Sequence, residues 1–361
     1  MKNVRWRSAT GSGYGVHVLK RILFFGNYGV RGGHRGIARS TYARVIDISE
    51  ALRVMGFECR VAYFHMLQLG QNARAVEWAE AVVFHRIQSS VWFGPVEPTL
   101  LALFELAVRK KKMVLFDFDD SLFLQYPGIF ELMAARSSMN IASTHFLMSY
   151  AARFNSDTRI VCTAVDTDLW MPSSSSGQGV TIGWHGTATM QFSYLRLLAP
   201  ILKRLASKYD LTFRLLGTLG SKTIQDYFTS IQGLRCEFGP SSWQPYWKIP
   251  ALMRGVDIGV SPLIDSRWSR GKCQMKLLEY MAMGMPVVAS RVGESRYLVR
   301  SGVNGFLAQT EDEWIEALSA LIEDDKMRVH MGKTSRKVAE EKHSIAVTAS
   351  KVRDAILVVA P

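Results

Sequence analysis

Apolar residues run along the chain in short unbroken blocks, and longer stretches with helical spacing separate them. The first block, residues 21–26 (RILFFG), ends in glycine and leads into a glycine-rich turn. A helical stretch over about 37–55 follows, closed by Gly56, where a helix end favours a residue that accepts a left-handed backbone. Residues 57–64 (FECRVAYF), 81–86 (AVVFHR) and 113–118 (MVLFDF) predict further strands, with helices between them such as 99–111. Strands this uniformly apolar, alternating with helices, predict a parallel sheet covered on both faces.

The pattern breaks once. After Trp170-Met171-Pro172 come four serines and Gly177-Gln178-Gly179, a polar run that predicts a domain boundary. Beyond it the alternation resumes: strands at 180–184, 211–217, 256–263 and 286–290, with helices over about 194–208, 222–232, 272–283, 311–324 and 325–341. Residues 345–359 have helical spacing and are expected to pack back on the first half. The expected fold class is α/β, with two Rossmann-like, doubly wound domains facing a central cleft. Residues 1–172 form the first, 173–342 the second, and 343–361 the returning helix. Ligands of such sheets bind at the carboxyl ends of the strands.

Composition narrows the class. The chain has 361 residues, 48% hydrophobic and 21% charged, enough for two ordinary cores. It has no apolar run near the roughly 20 residues of a membrane span, and no apolar block follows the basic N-terminus as in a secretory leader. Cys59, Cys162, Cys236 and Cys273 are single and far apart, which argues against a zinc site or disulfide framework and for a reducing, cytoplasmic setting. Net charge is +13, and Met1 to Arg60 holds eleven Lys and Arg against Asp47, Glu50 and Glu58. Such a surplus suits a phosphorylated ligand or the anionic inner face of a membrane, or it is a solvated face. With no zinc-finger, basic-zipper or RNA-recognition signature, nucleic acid is not an expected partner.

Three segments could carry chemistry. The turn from Gly26 to Gly36 has Gly32 and Gly33 at its centre and Arg31, Arg35 and Arg39 nearby. It reads as an anion cradle or a plain strand-to-helix turn, and it lacks dinucleotide-fingerprint spacing. His185 and Gly186 directly follow the first strand of the second half, where His185 is expected to act on the ligand and Gly186 to bind the donor, unless the histidine is structural. Lys272, Lys276 and Glu279 recur at helical spacing, so they are expected on one side of a helix. There two lysines suit a diphosphate and a carboxylate suits ribose hydroxyls; the bland alternative is a solvated lysine face. A fourth segment, Asp117-Phe118-Asp119-Asp120, ends a strand. Asp119 and Asp120 are expected to orient an acceptor hydroxyl, unless Asp120-Ser121 merely caps a turn.

On Asp257-Ile258-Gly259-Val260-Ser261-Pro262-Leu263, the stretch from Lys276 to Ala289, Val292-Gly293 and Gly302 to Leu307, the second half resembles the donor domain of the GT-B glycosyltransferases, specifically the retaining group called family 4 or group 1. Val165 to Trp170 resembles the end of that family's acceptor domain. The resemblance implies a hexosyltransferase-like enzyme of polysaccharide biosynthesis that retains configuration, needs no metal and no cofactor, and takes a UDP- or GDP-linked sugar to a glycan or lipid-linked acceptor. Two departures stand out. The family commonly carries two glutamates; Glu279 matches the second, and Gly271 stands at the first. Trp184 and His185 stand where a basic pair is usual. A non-catalytic GT-B protein that binds a nucleotide-sugar or glycan is the main alternative, and a sugar-nucleotide epimerase of the same fold a further one.

Overall fold

A computed structural model describes residues 19–359 apart from 27, 32–33, 38, 64–68, 88–96 and 174–178. Gly32 and Gly33, and the basic stretch ahead of Leu19 with Trp6 and Tyr14, lie outside the described residues.

The first sheet is built from β1 (Arg21–Gly26), β4 (Glu58–Tyr63), β5 (Ala81–His85), β6 (Met113–Phe118), β7 (Met139–Ala142) and β8 (Thr158–Ile160). Its order is β4-β1-β5-β6-β7-β8, every pair parallel. β2 (Tyr28–Arg31) and β3 (His34–Ile37) pair antiparallel as a separate ribbon, where a direct strand-to-helix turn was expected. The second sheet takes β9 (Val180–His185), β10 (Leu211–Leu216), β11 (Arg235–Phe238), β12 (Ile258–Ser261), β13 (Val287–Ser290) and β14 (Gly305–Ala308) in the order β11-β10-β9-β12-β13-β14. The two doubly wound domains of the expected fold class are therefore present. Every residue of β5, β6 and β9 is buried, as helices on both faces require, which is why these strands read as continuous apolar runs. The strands absent from the sequence reading, β7, β8, β11 and β14, span three or four residues each, too short to leave a periodic signal.

Strand order reverses beside β1 in the first sheet, between β1 and β5, and beside β9 in the second, between β9 and β12. The crevices above these reversals are where a doubly wound sheet admits a ligand. Gly26, Arg86, His185 and Ser261 lie at or just past those strand ends.

The expected helix over 37–55 is interrupted. Arg39–Thr41 leads into a π-helical turn, Tyr42–Ile46, and then Asp47–Val54. Such wide turns cost regular hydrogen bonding and recur at functional positions. This one holds Arg44, which is buried. The helix Ile345–Val359 packs on Asp47–Val54, and its Ala349, Val352 and Ile356 complete a core cluster with Phe24, Ile48 and Leu52. Burying each large aliphatic there contributes about 1.5–3 kcal/mol. The chain thus crosses between the sheets twice. The crossings touch where the Val165 amide donates to the His343 carbonyl at 2.8 Å.

Candidate active site

The second-domain half of the site grows from the end of β9. Gly186 has φ +153, and a Cβ there would lie 2.8 Å from the Trp184 ring and 2.9 Å from Lys276 Cε. Only glycine permits this turn, and it brings the β9 end against the helix Met275–Ala282. That helix begins later than expected. Gln274 takes a left-handed conformation at its N-cap, so Lys272 lies in the preceding loop and does not share a helix face with Lys276 and Glu279. Lys272 remains a neighbour all the same, its Nζ 5.6 Å from the Trp268 ring, and its charge reaches Lys276. Burial first, and the Lys272 charge second, push the Lys276 ammonium down to about 8. Lys276 Nζ donates to Gln191 Oε1 at 3.0 Å and sits 5.2 Å from the Trp184 ring.

One turn further along, Glu279 is 3% exposed. Burial alone would raise its carboxyl. The Arg39 guanidinium and the His185 ring outweigh that and hold it below the usual carboxylate range. Arg39 crosses from the first domain to donate to Glu279 Oε1 from Nε at 3.0 Å and Nη2 at 2.7 Å. His185 Nε2 lies 3.0 Å from Oε2. Arg39 also stacks 3.2 Å from the centre of the Tyr246 ring. His185 packs between Trp170 and Tyr280, and its backbone amide donates to the Tyr280 hydroxyl at 3.1 Å.

The acidic strand end of the first domain splits into three different environments. Asp117 is enclosed: Arg44 donates to both its oxygens and His85 Nδ1 lies 2.9 Å from Oδ2. Burial would raise its carboxyl, but Arg44 and His85 hold it below the ordinary range. Asp119 is 2% exposed and pairs with Arg86 Nη1 at 3.3 Å. An acceptor-orienting role for Asp119 therefore lacks an accessible oxygen to act through; the residue supports Arg86. Asp120 has a side chain 23% exposed and meets Arg86 Nη2 at 3.3 Å. Nor does Asp120-Ser121 serve as a simple cap. Ser121 makes no capping bond to the short helix Leu122–Leu124, and its Oγ instead donates 2.7 Å across the cleft to the Arg267 carbonyl.

That crossing explains Gly271. A Cβ on Gly271 would lie 2.1 Å from Ser121 Oγ and 3.1 Å from Ser121 N. The first domain fills the space where a side chain at this position would go. A second crossing pairs buried Glu294 with His145, whose backbone amide donates to Oε2 at 3.0 Å and whose ring stacks on Tyr297 at 3.5 Å.

The structure thus gathers Lys272, Lys276, Glu279, His185 and Gly186 at one wall of the cleft and sets Asp120 on the facing wall. Arg39 entered the sequence reading of the site only as a neighbour of the glycine turn and Ser121 only as a cap, while Arg86 and Tyr246 had no place in it. For Arg86 a signal existed, since it directly follows β5 at a strand's carboxyl end.

Residues 179–324, most of the second domain, match the family model of the glycosyl transferases group 1. A D-inositol 3-phosphate glycosyltransferase of Corynebacterium efficiens is 31% identical over 111 residues, covering 30% of this chain and 25% of that protein. The chain spans about a quarter of the length of the curated relatives it matches. Among solved structures, Anabaena HepE in complex with UDP and glucose superposes with a TM-score of 0.66 at 16% identity, over 93% of this chain and 99% of that one. The sucrose-phosphate synthase of Thermosynechococcus elongatus gives 0.68 at 12% identity, over 93% and 98%. The described residues have the GT-B fold.

Proposed function

We propose that the protein is a glycosyltransferase that takes a sugar from a nucleoside-diphosphate donor held on the second domain and passes it to a hydroxyl acceptor in the cleft. The observation that carries this is the wall made by Lys272, Lys276 and Glu279 at the switch point of a group 1 domain. Two ammonium groups beside a helix start meet the charge that builds on a departing diphosphate. Glu279, once freed from Arg39, offers ribose hydroxyls an acceptor. His185 braces Glu279 from the other side. The reaction retains configuration without a metal, the donor phosphate taking the acceptor's proton as the bond to the sugar breaks. Positioning and charge stabilisation are then what the protein supplies. The donor is UDP- or GDP-linked, and the acceptor a glycan or lipid-linked sugar of polysaccharide assembly.

A thermal-shift screen of UDP, GDP, ADP and their sugars identifies the donor, since a ligand that binds the native state raises its apparent stability. With that ligand, Lys272→Ala is expected to weaken nucleoside-diphosphate binding about 10–100-fold, the loss of one charge-assisted contact, and to leave nucleoside binding unchanged. Equal diphosphate affinity in the two proteins would refute this placement of the donor. Binding should also fall with pH. Above about 8 the free protein's Lys276 is neutral, so binding a diphosphate must take up a proton, and affinity drops by up to about tenfold per pH unit. Titrations at pH 7 and 9.5 that agree within twofold would remove Lys276 from the contact.

The same reading places the protein in the cytoplasm, peripheral on an anionic membrane surface through its basic first 60 residues. No described helix is long and apolar enough to cross a membrane. Sedimentation with vesicles should show binding that needs acidic lipid and fades as salt is raised. Equal binding to neutral vesicles at low salt would end the electrostatic account.

A further inference from the structure

We infer that Asp120 reads the hydroxyls of the donor's sugar ring, presented from the first domain by the loop that packs on Gly271. This rests on the donor reading above and adds the group that distinguishes one sugar from another.

The second domain's carboxylates near this wall are already engaged: Glu279 lies against Arg39 and His185, Glu294 against His145, and Asp265 against Arg270. Position 271 admits no side chain while Ser121 stands 2.1 Å from where a Cβ would be. What faces that point is the Asp119–Ser121 loop. Of the three aspartates at this strand end, Asp117 is consumed by Arg44 and His85, and Asp119 is enclosed against Arg86. Asp120 alone of the three keeps a partly exposed carboxylate, with one ion pair at 3.3 Å. It is the residue next to Ser121, and its charge is felt by Lys276 and by buried Cys273 on the opposite wall. The loop it belongs to meets the second domain directly, through Ser121 Oγ on the Arg267 carbonyl at 2.7 Å.

The way Asp120 is held fits a presenting role. Asp120 has φ +59 and Arg86 has φ +53, both in the left-handed region, at the carboxyl ends of neighbouring strands β6 and β5. Arg86 Nη1 is steadied by Ser40 Oγ at 3.0 Å and by Asp119. A guanidinium fixed on two sides orients Asp120 while leaving part of its carboxylate open to the cleft. An ionised carboxylate only accepts hydrogen bonds, so two neighbouring ring hydroxyls that point toward it satisfy it, and an epimer with one turned away leaves an oxygen bare.

The test compares binding of UDP with UDP-glucose, GDP with GDP-mannose and ADP with ADP-glucose by calorimetry, in the full chain and in two variants. Asp120→Asn keeps the shape, and Asp120→Gly keeps the left-handed backbone without strain. For the pair that the wild type binds best, the gain in affinity from adding the sugar should shrink about tenfold in both variants. Affinity for the bare nucleoside diphosphate should hold or rise, since a negative charge near Lys276 is lost. An unchanged sugar gain overturns the inference while leaving the donor reading intact. So does an equal weakening of both ligands, which would make Asp120 a brace for the loop. If the wild type binds none of the six ligands, the donor reading itself fails and takes this inference with it.

Discussion

Asp117→Ala is expected to destabilise the first domain by about 3–5 kcal/mol. The side chains of Arg44 and Asp117 are 4% and 5% exposed, and Arg44 finds its remaining partners in the Val161 carbonyl and Thr163 Oγ1. Removing the carboxylate strands a guanidinium in the core, and an uncompensated buried charge costs far more than the intact pair contributes. Replacing both residues together, as Arg44→Met with Asp117→Leu, should be much milder, because no charge is then left behind. Urea unfolding followed by circular dichroism measures both. A single mutant within 1 kcal/mol of wild type would mean that water reaches Arg44. The same pair sets an acid limit. The folded-state carboxyl of Asp117 is held below its ordinary value. Its contribution is therefore complete above the ordinary carboxylate range and is lost as pH falls through the lower folded value.

Gly271→Glu restores the residue type of the resembling family, and it is nevertheless expected to cut the proposed transfer rate by about a hundredfold or more. The new side chain starts 2.1 Å from Ser121 Oγ, so the walls must separate and the Ser121–Arg267 hydrogen bond must break. A displacement of about 1 Å between reacting groups is enough for a loss of that size. Ser121→Gly in the same chain removes the Oγ and should recover part of the rate. Turnover of the donor found by the screen, with single and double variants side by side, gives the answer. A fully active Gly271→Glu enzyme would show that the walls need not meet here during the reaction.

The fold was legible because a doubly wound sheet writes itself in unbroken apolar runs, and β1, β5, β6 and β9 are such runs. The lysine-rich segment of the second domain was legible too, since its helix and the following strand carry family residues in order. Its geometry was read too simply. Helical spacing from Lys272 to Lys276 takes no account of Gln274, whose left-handed backbone starts the helix three residues after Lys272. The acidic end of β6 invited one common role for its aspartates, whereas burial and partners give each a different one. Arg44 comes from a π turn 73 residues earlier in the chain. Arg39 reaches Glu279 across 240 residues, a meeting that only the packing of one domain on another produces. No local pattern encodes such a contact.

The helix Ile345–Val359 bears on the order in which the protein is made. Ile48 and Leu52 leave the ribosome roughly 300 residues ahead of their core partners Ala349, Val352 and Ile356. Synthesis runs at roughly 5–20 residues per second, so that apolar face waits some tens of seconds for its cover. The second domain, whose sheet lies wholly between Val180 and Ala308, can close before the first has done so. Truncation before Ile345 would leave the bare face permanently, and chaperones that recognise exposed apolar surface would find it on the first domain.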